Sequence, residues 1–451
     1  MSSPFAWMNR RHWLQAVGAS MMGASFSGWL PRIAQAAADD PRRQRQCIVL
    51  WMAGGPSQLD TFDLKPGHAN GGPFKEIDTV APGLRFSEHL PRLAKQGDRL
   101  AVLRGVSTKE GDHGRGTYLM HTGRPPQGPI RYPALGAFLG KELAETKPMS
   151  GGGIPSYVSV SPFRAFNPAA FSPGFLGPRY SPLTVGALDQ PQATEGPDDK
   201  GYARLRVDDL SPPTQVSADR FQTRLAMWRE MQDRFLASRA AAGAIAQDTM
   251  YRHAIDLMSH EVVKAFDLSE ESDETRNAYG KGRFGQGCLL ARRLIERGVP
   301  FVEVTLAASA ENQLGWDTHT NNFPAVQQLS GELDAGWSQL MSDLADRGLL
   351  ENTTIAWMGE FGRTPKINNS AGRDHFPVAW TCALAGGGIR GGTAYGATSD
   401  DGTEVKDGKV DVGDILATLC AALGLKPDKE NISQEGRPIK LAEGKVIQEV
   451  L

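Results

Sequence analysis

An α/β fold, with a mostly parallel sheet and helices on both faces, is predicted by three features of the sequence. Short continuous apolar runs alternate with segments of helical period over 47–160 and again over 283–423, the pattern of buried parallel strands and their crossover helices. Glycine-rich polar clusters follow directly on several of those runs, where open α/β sheets bind their ligands. At 451 residues, 40% apolar and 22% charged, the chain is long enough for one large domain with an insertion.

The elements follow in order. Buried strands are expected at 47–52, 100–103, 157–160, 301–306, 353–358 and 380–384, each an apolar run bounded by turn residues. Helices are expected near 90–96, 117–122, 133–145, 249–266, 282–297 and 412–423, the last with Asp411 to cap its start and Gly424 just past its end. Val326, Leu329, Leu333, Trp337, Leu340 and Leu344 mark one face of a long helix before the strand at 353. Residues 162–213 are rich in Pro, Gly, Asp and Ser, and 162–280 reads as an inserted loop and helix region or lid. Within it Phe221, Leu225, Trp228, Met231 and Phe235 step at helical spacing, which predicts core packing.

The N-terminus differs in kind. Arg10-Arg11 precede a weakly apolar stretch over 16–30 and the small-x-small pattern Ala34-Gln35-Ala36, so residues 1–36 look like a twin-arginine export signal and predict a periplasmic or extracellular protein. Removing them leaves 46 basic and 51 acidic residues, which gives no support to nucleic-acid binding. No apolar run approaches the roughly 20 residues of a membrane span. Four cysteines, Cys47, Cys288, Cys382 and Cys420, lie far apart in apolar contexts with no zinc spacing; buried thiols or one disulfide both fit.

Chemistry-bearing residues gather after the predicted strands. Asp60 and Asp63 follow the first, Asp112 and His113 the second, Asp317 and His319 the strand at 301–306, and Glu360, Asp374 and His375 the strand at 353–358. Carboxylates and imidazoles in that mixture suit a divalent ion such as zinc, manganese or iron, with calcium or magnesium also open. Asp317 and His319, two residues apart, share a side of an extended loop. Arg363 reads either as a salt-bridge partner or as a fork for a phosphate or sulfate ester.

Four motifs, Gly54–Asp63, Gly315–His319, Gly359–Pro365 and Gly372–His375, resemble the exported bacterial family known as domain of unknown function 1501, over roughly 45–447. That resemblance implies an alkaline-phosphatase-like fold shared with sulfatases and phosphatases. His113–Arg124 is similar to the sulfatase signature that begins with a modified cysteine, but here that position is His113. The reading favoured is a metal-dependent hydrolase of phosphate or sulfate esters, including sulfated or phosphorylated carbohydrate. Its expected metal ligands are Asp60, Asp317, His319, Glu360, Asp374 and His375, with His113 as acid, base or further ligand, and Arg115 and Arg363 neutralising the anion. The alternative is a non-catalytic exported protein on the same scaffold, holding a structural ion, a carbohydrate or a protein partner.

Overall fold

Gln46–Met52 (β1) is wholly buried and lies inside an eight-stranded sheet, with its residues facing two separate cores in alternation. The computed structural model describes residues 44–146, 155–186, 196–207, 215–239, 241–258, 261–307 and 315–451. The expected export signal lies outside the described residues. The other sheet strands are β2 (Leu100–Val106), β3 (Val158–Val160), β4 (Leu183–Val185), β5 (Phe301–Leu306), β6 (Thr353–Met358), β7 (Trp380–Gly386) and β8 (Thr393–Tyr395), in the spatial order β8-β2-β7-β6-β1-β5-β3-β4. The main helices are α1 (His113–Thr122), α2 (Leu135–Thr146), α3 (Ala218–Ser238), α4 (Ala242–Met258), α5 (Arg283–Glu296), α6 (Asn322–Asp346) and α7 (Val412–Ala422).

Because side chains alternate along a strand, Ile48, Leu50 and Met52 pack with residues of α5 and α6, while Cys47, Val49 and Trp51 pack with residues of α1, α2 and α7. The two faces are therefore covered as the sequence predicts. At α7 the Asp411 and Asp414 side chains form a reciprocal capping box, and Gly424 takes a left-handed φ of 73° past its end. All four cysteines are free and buried, and burial pushes the Cys420 thiol up to about 12.

The sheet is mostly parallel, as expected, with one strand reversed: β7 runs antiparallel to both β2 and β6. Residues 359–379, between β6 and β7, contain no helix, and an antiparallel neighbour needs no crossover. The segment 162–280 is not wholly an insertion, because β4 pairs in parallel with β3 and forms the sheet's edge. The stripe on α3 is not core: no residue of that helix is buried, with Met231 69% and Phe235 41% exposed. Helical spacing specifies a face but not what the face meets.

The pairing puts the carboxyl ends of β1, β2, β5 and β6 on one rim, since β1 is parallel to β5 and β6, and β2 reaches β6 through the antiparallel β7. Among the described residues no helix is long and apolar enough to cross a membrane. Leu333→Ala on α6, fully buried, is expected to cost about 2–5 kcal/mol in denaturant unfolding, and Met231→Ser less than about 0.5 kcal/mol. A Met231→Ser loss as large as that of Leu333→Ala would contradict the placement of α3.

Candidate metal centre

Each rim strand delivers one part of a polar cluster. After β1 the chain turns at Gly54, whose φ of 112° and close approach to the Asp317 backbone leave no room for a side chain. After β2 the Asp112 side chain caps α1 by accepting from the Arg115 amide, so His113 is the first helical residue. Gly315–His319 follows β5. Beyond β6 come Glu360 and a two-stranded ribbon, Gly362–Arg363 against His375–Phe376, which pairs His375 with Arg363.

Three imidazoles turn the same edge inward. His375 Nδ1 lies 2.8 Å from the Gly111 carbonyl, which can only accept, so Nδ1 carries the proton and Nε2 keeps its lone pair. His319 Nδ1 donates to Asp374 Oδ1 at 2.8 Å, and that bond heads the causes that hold the Asp374 carboxyl below its usual range. His113 Nδ1 donates to Glu360 Oε1 at 2.6 Å. The three Nε2 atoms then meet Asp317 Oδ1 at 3.2 Å (His113), 3.0 Å (His319) and 3.3 Å (His375). His319 Nε2 and His375 Nε2 are themselves 2.9 Å apart.

Lone pairs facing one another at such separations repel unless a positive charge lies among them. His113 Nε2 is buried, and although 3.2 Å from Asp317 Oδ1 it is not aligned for a hydrogen bond. Glu360 Oε2 is likewise buried without a partner. Nitrogen donors whose second ring nitrogen is pinned by a carboxylate or carbonyl are the usual surroundings of a bound cation. His113, Asp317 and His375 each offer an atom within 4.8 Å of the other two, a set able to hold one metal ion.

Without a cation, protons take its place. Burial works against the His113 imidazolium, but the Asp317 and Glu360 carboxylates outweigh it and raise His113 to about 9. Asp317 goes the other way: burial favours its neutral form, yet His113, His375 and Arg363 hold it well below the usual carboxylate range.

The remaining expected residues have other roles. Asp60 is fully buried and does not join the cluster; Arg373 Nε and Nη2 donate to it at 2.8 and 3.1 Å, and Asn322 Nδ2 at 2.9 Å. Glu360 orients His113 and accepts from the Gly54 amide at 2.8 Å, and Asp374 orients His319. Arg363 is buried, and burial lowers its pKa; its guanidinium binds the Gly54, Gly55 and Arg373 carbonyls and Asp317 Oδ1 at 2.6 Å, so it has no free fork for an ester. Arg115 forks onto Glu110 at 2.6 and 2.7 Å.

Several participants escaped sequence reasoning. Gly111 contributes only a carbonyl. Phe166 stacks on His113 with ring centroids 4.1 Å apart, and Asn368 Nδ2 donates to the His319 carbonyl. Gln58, inside the first motif, brackets the Arg363 backbone at 2.8 and 2.9 Å, and only its unusual burial would have revealed it.

The model for "Protein of unknown function (DUF1501)" matches residues 44–451. The chain belongs to the DUF1501 family. No curated protein matches it in sequence. Among solved structures, this DUF1501 protein is similar to the PsFucS1 sulfatase from Pseudoalteromonas sp., at 11% identity and a TM-score of 0.40 over 85% of this chain and 68% of that one. It is also similar to Ps i-CgsB in complex with a neocarrahexaose, at 11% identity and a TM-score of 0.37 over 89% and 75%. A third match is a protein in the alkaline phosphatase superfamily from Vibrio parahaemolyticus, at 11% and 0.33 over 85% and 67%. Likeness of this degree assigns no activity.

In metal-stripped protein the raised His113 pKa stabilises the fold fully below about pH 6.5, the usual imidazole value. That contribution is lost as pH rises through about 9. Glu360→Gln is expected to flatten this segment of the stability–pH curve and to lower the His113 titration seen by NMR. An unchanged titration would contradict the Glu360–His113 contact.

Proposed function

We propose that the protein is an exported hydrolase of phosphate or sulfate esters that uses one divalent cation held by His113, Asp317 and His375. The observation that carries this reading is the convergence of imidazole Nε2 atoms, each with its Nδ1 proton engaged, on one carboxylate oxygen at the strand ends. When bound there, a zinc- or manganese-like ion supplies a Lewis acid for the ester oxygen and for the attacking water.

The chain's own residues do the rest. His319 is the most exposed of the three rings, at 40%, and Asp374 on its Nδ1 leaves Nε2 free to take a proton from water and return it to the leaving alcohol. Arg363 offsets the clustered negative charge of Asp317 and Glu360 from beneath. Since α1 begins with His113 where the sulfatase signature has its nucleophile, water attacks directly and no covalent ester forms. A cleft of about 540 Å³ lined by Tyr118, Arg131, Tyr132 and Asn167 adjoins this helix. Tyr118 lies about 7.5 Å along the α1 axis from His113, and aromatic rings beside amide and guanidinium groups suit a carbohydrate alcohol. The N-terminal arginine pair supports export by the twin-arginine route. A non-catalytic reading has one observation in its favour: Arg363 already holds Asp317 Oδ1.

Metal analysis joined to a screen of aryl sulfates and phosphates tests the proposal. Purified mature protein is expected to hold about one divalent ion per chain, and chelation to abolish activity until zinc or manganese is restored. Asp317→Ala and His375→Ala should each lose the ion and at least about 1,000-fold in kcat/KM. His319→Gln should keep the ion but lose about 100- to 10,000-fold in kcat, with one limb of the pH profile. Hydrolysis indifferent to Asp317→Ala and His375→Ala would defeat the reading. Pre-steady-state traces should show no burst, and a stoichiometric burst would restore a covalent intermediate.

A further inference from the structure

The α3–α4 hairpin carries six of the nine exposed large apolar residues among the described residues: Met227, Met231, Phe235, Ile245, Met250 and Tyr251. None of the 21 residues of α3 is buried, and side-chain contacts tie it to α4. Trp228 meets Tyr251 of α4 at 5.6 Å between ring centroids, and Asp233 pairs with Arg252 of α4 at 2.7 Å. Those contacts fix which side of α3 faces inward.

At about 100° per residue, Arg220, Arg224, Met227, Met231, Arg234 and Phe235 fall within roughly one third of the helix circumference, a flank of α3 that begins beside Trp228. Met227 and Met231 there are 60% and 69% exposed. The acids Asp219, Glu230 and Asp233 lie in a separate sector, from which Glu230 reaches Arg234 at 2.5 Å. Arg220 and Arg224 have no side-chain partner among the described residues. A chain whose formal charge is −2 thus carries a local ridge of cations interleaved with long apolar side chains.

We infer that this ridge docks the protein on an anionic lipid surface. The guanidinium groups complement phosphate headgroups, and Met227, Met231 and Phe235 reach the acyl boundary. A soluble polyanion would satisfy the arginines but leave the apolar side chains in water. A folded protein partner would have to match a convex ridge of flexible methionines, whereas a bilayer deforms around one. The inference does not depend on the hydrolase reading, because no ridge residue belongs to the metal cluster.

Cosedimentation of the mature chain with vesicles of equimolar phosphatidylglycerol and phosphatidylcholine, against phosphatidylcholine alone, tests it. Binding is expected only to the anionic vesicles, falling with salt. It should weaken about tenfold or more in Met231→Ser/Phe235→Ser and in Arg220→Gln/Arg224→Gln, with ion content unchanged. No binding, equal binding to both vesicles, or binding indifferent to both double variants would overturn it. So would a dimer in light scattering that Met231→Ser/Phe235→Ser dissolves, which would assign the ridge to a second copy.

Discussion

One carboxylate oxygen organises the rim of the sheet. Asp317 Oδ1 has Arg363 at 2.6 Å and the Nε2 atoms of His113, His319 and His375 at 3.2, 3.0 and 3.3 Å. These groups come from the ends of different strands, so the oxygen ties β2, β5 and β6 together. Desolvated charge on this scale persists only when it is paired and hydrogen-bonded. Buried Arg363 meets that condition on one side, through Asp317 and three carbonyls. The three imidazole edges on the other side meet it only with a proton or a cation among them.

A second buried pair fixes the loops around that point. Arg373 and Asp60, both wholly buried, join the segment before His375 to the turn after β1, and Asn322 at the start of α6 completes the link. The residues that look most like ligands in sequence, clustered acids after a strand, thus divide by burial. Asp317 is partly accessible and surrounded by imidazoles. Asp60 is closed off by a guanidinium.

Much of this was legible in the sequence. The strands at 301–306 and 353–358 fall where continuous apolar runs place them, because a strand buried on both faces needs no alternation. The gathering of His113, Asp317, His319 and His375 followed from the rule that loops after parallel strands share a rim. Other parts were hidden for physical reasons. The direction of β7 depends on a connection with no helix, and β4 is three residues long within a Pro- and Gly-rich stretch. Whether Arg363 faced a ligand or the protein turned on carbonyls of Gly54, Gly55 and Arg373, and backbone acceptors leave no mark in residue type. The α3 stripe misled because period alone cannot tell a core face from an outward one.

The central claim is that imidazole nitrogens from separate strand ends share one cation, and X-ray absorption at the zinc edge measures this directly. In mature protein reconstituted with one equivalent of zinc, a first shell at about 2.0–2.1 Å with the outer scattering of at least two imidazoles is expected. A shell of oxygen alone, or zinc that washes out without stoichiometric binding, would contradict it.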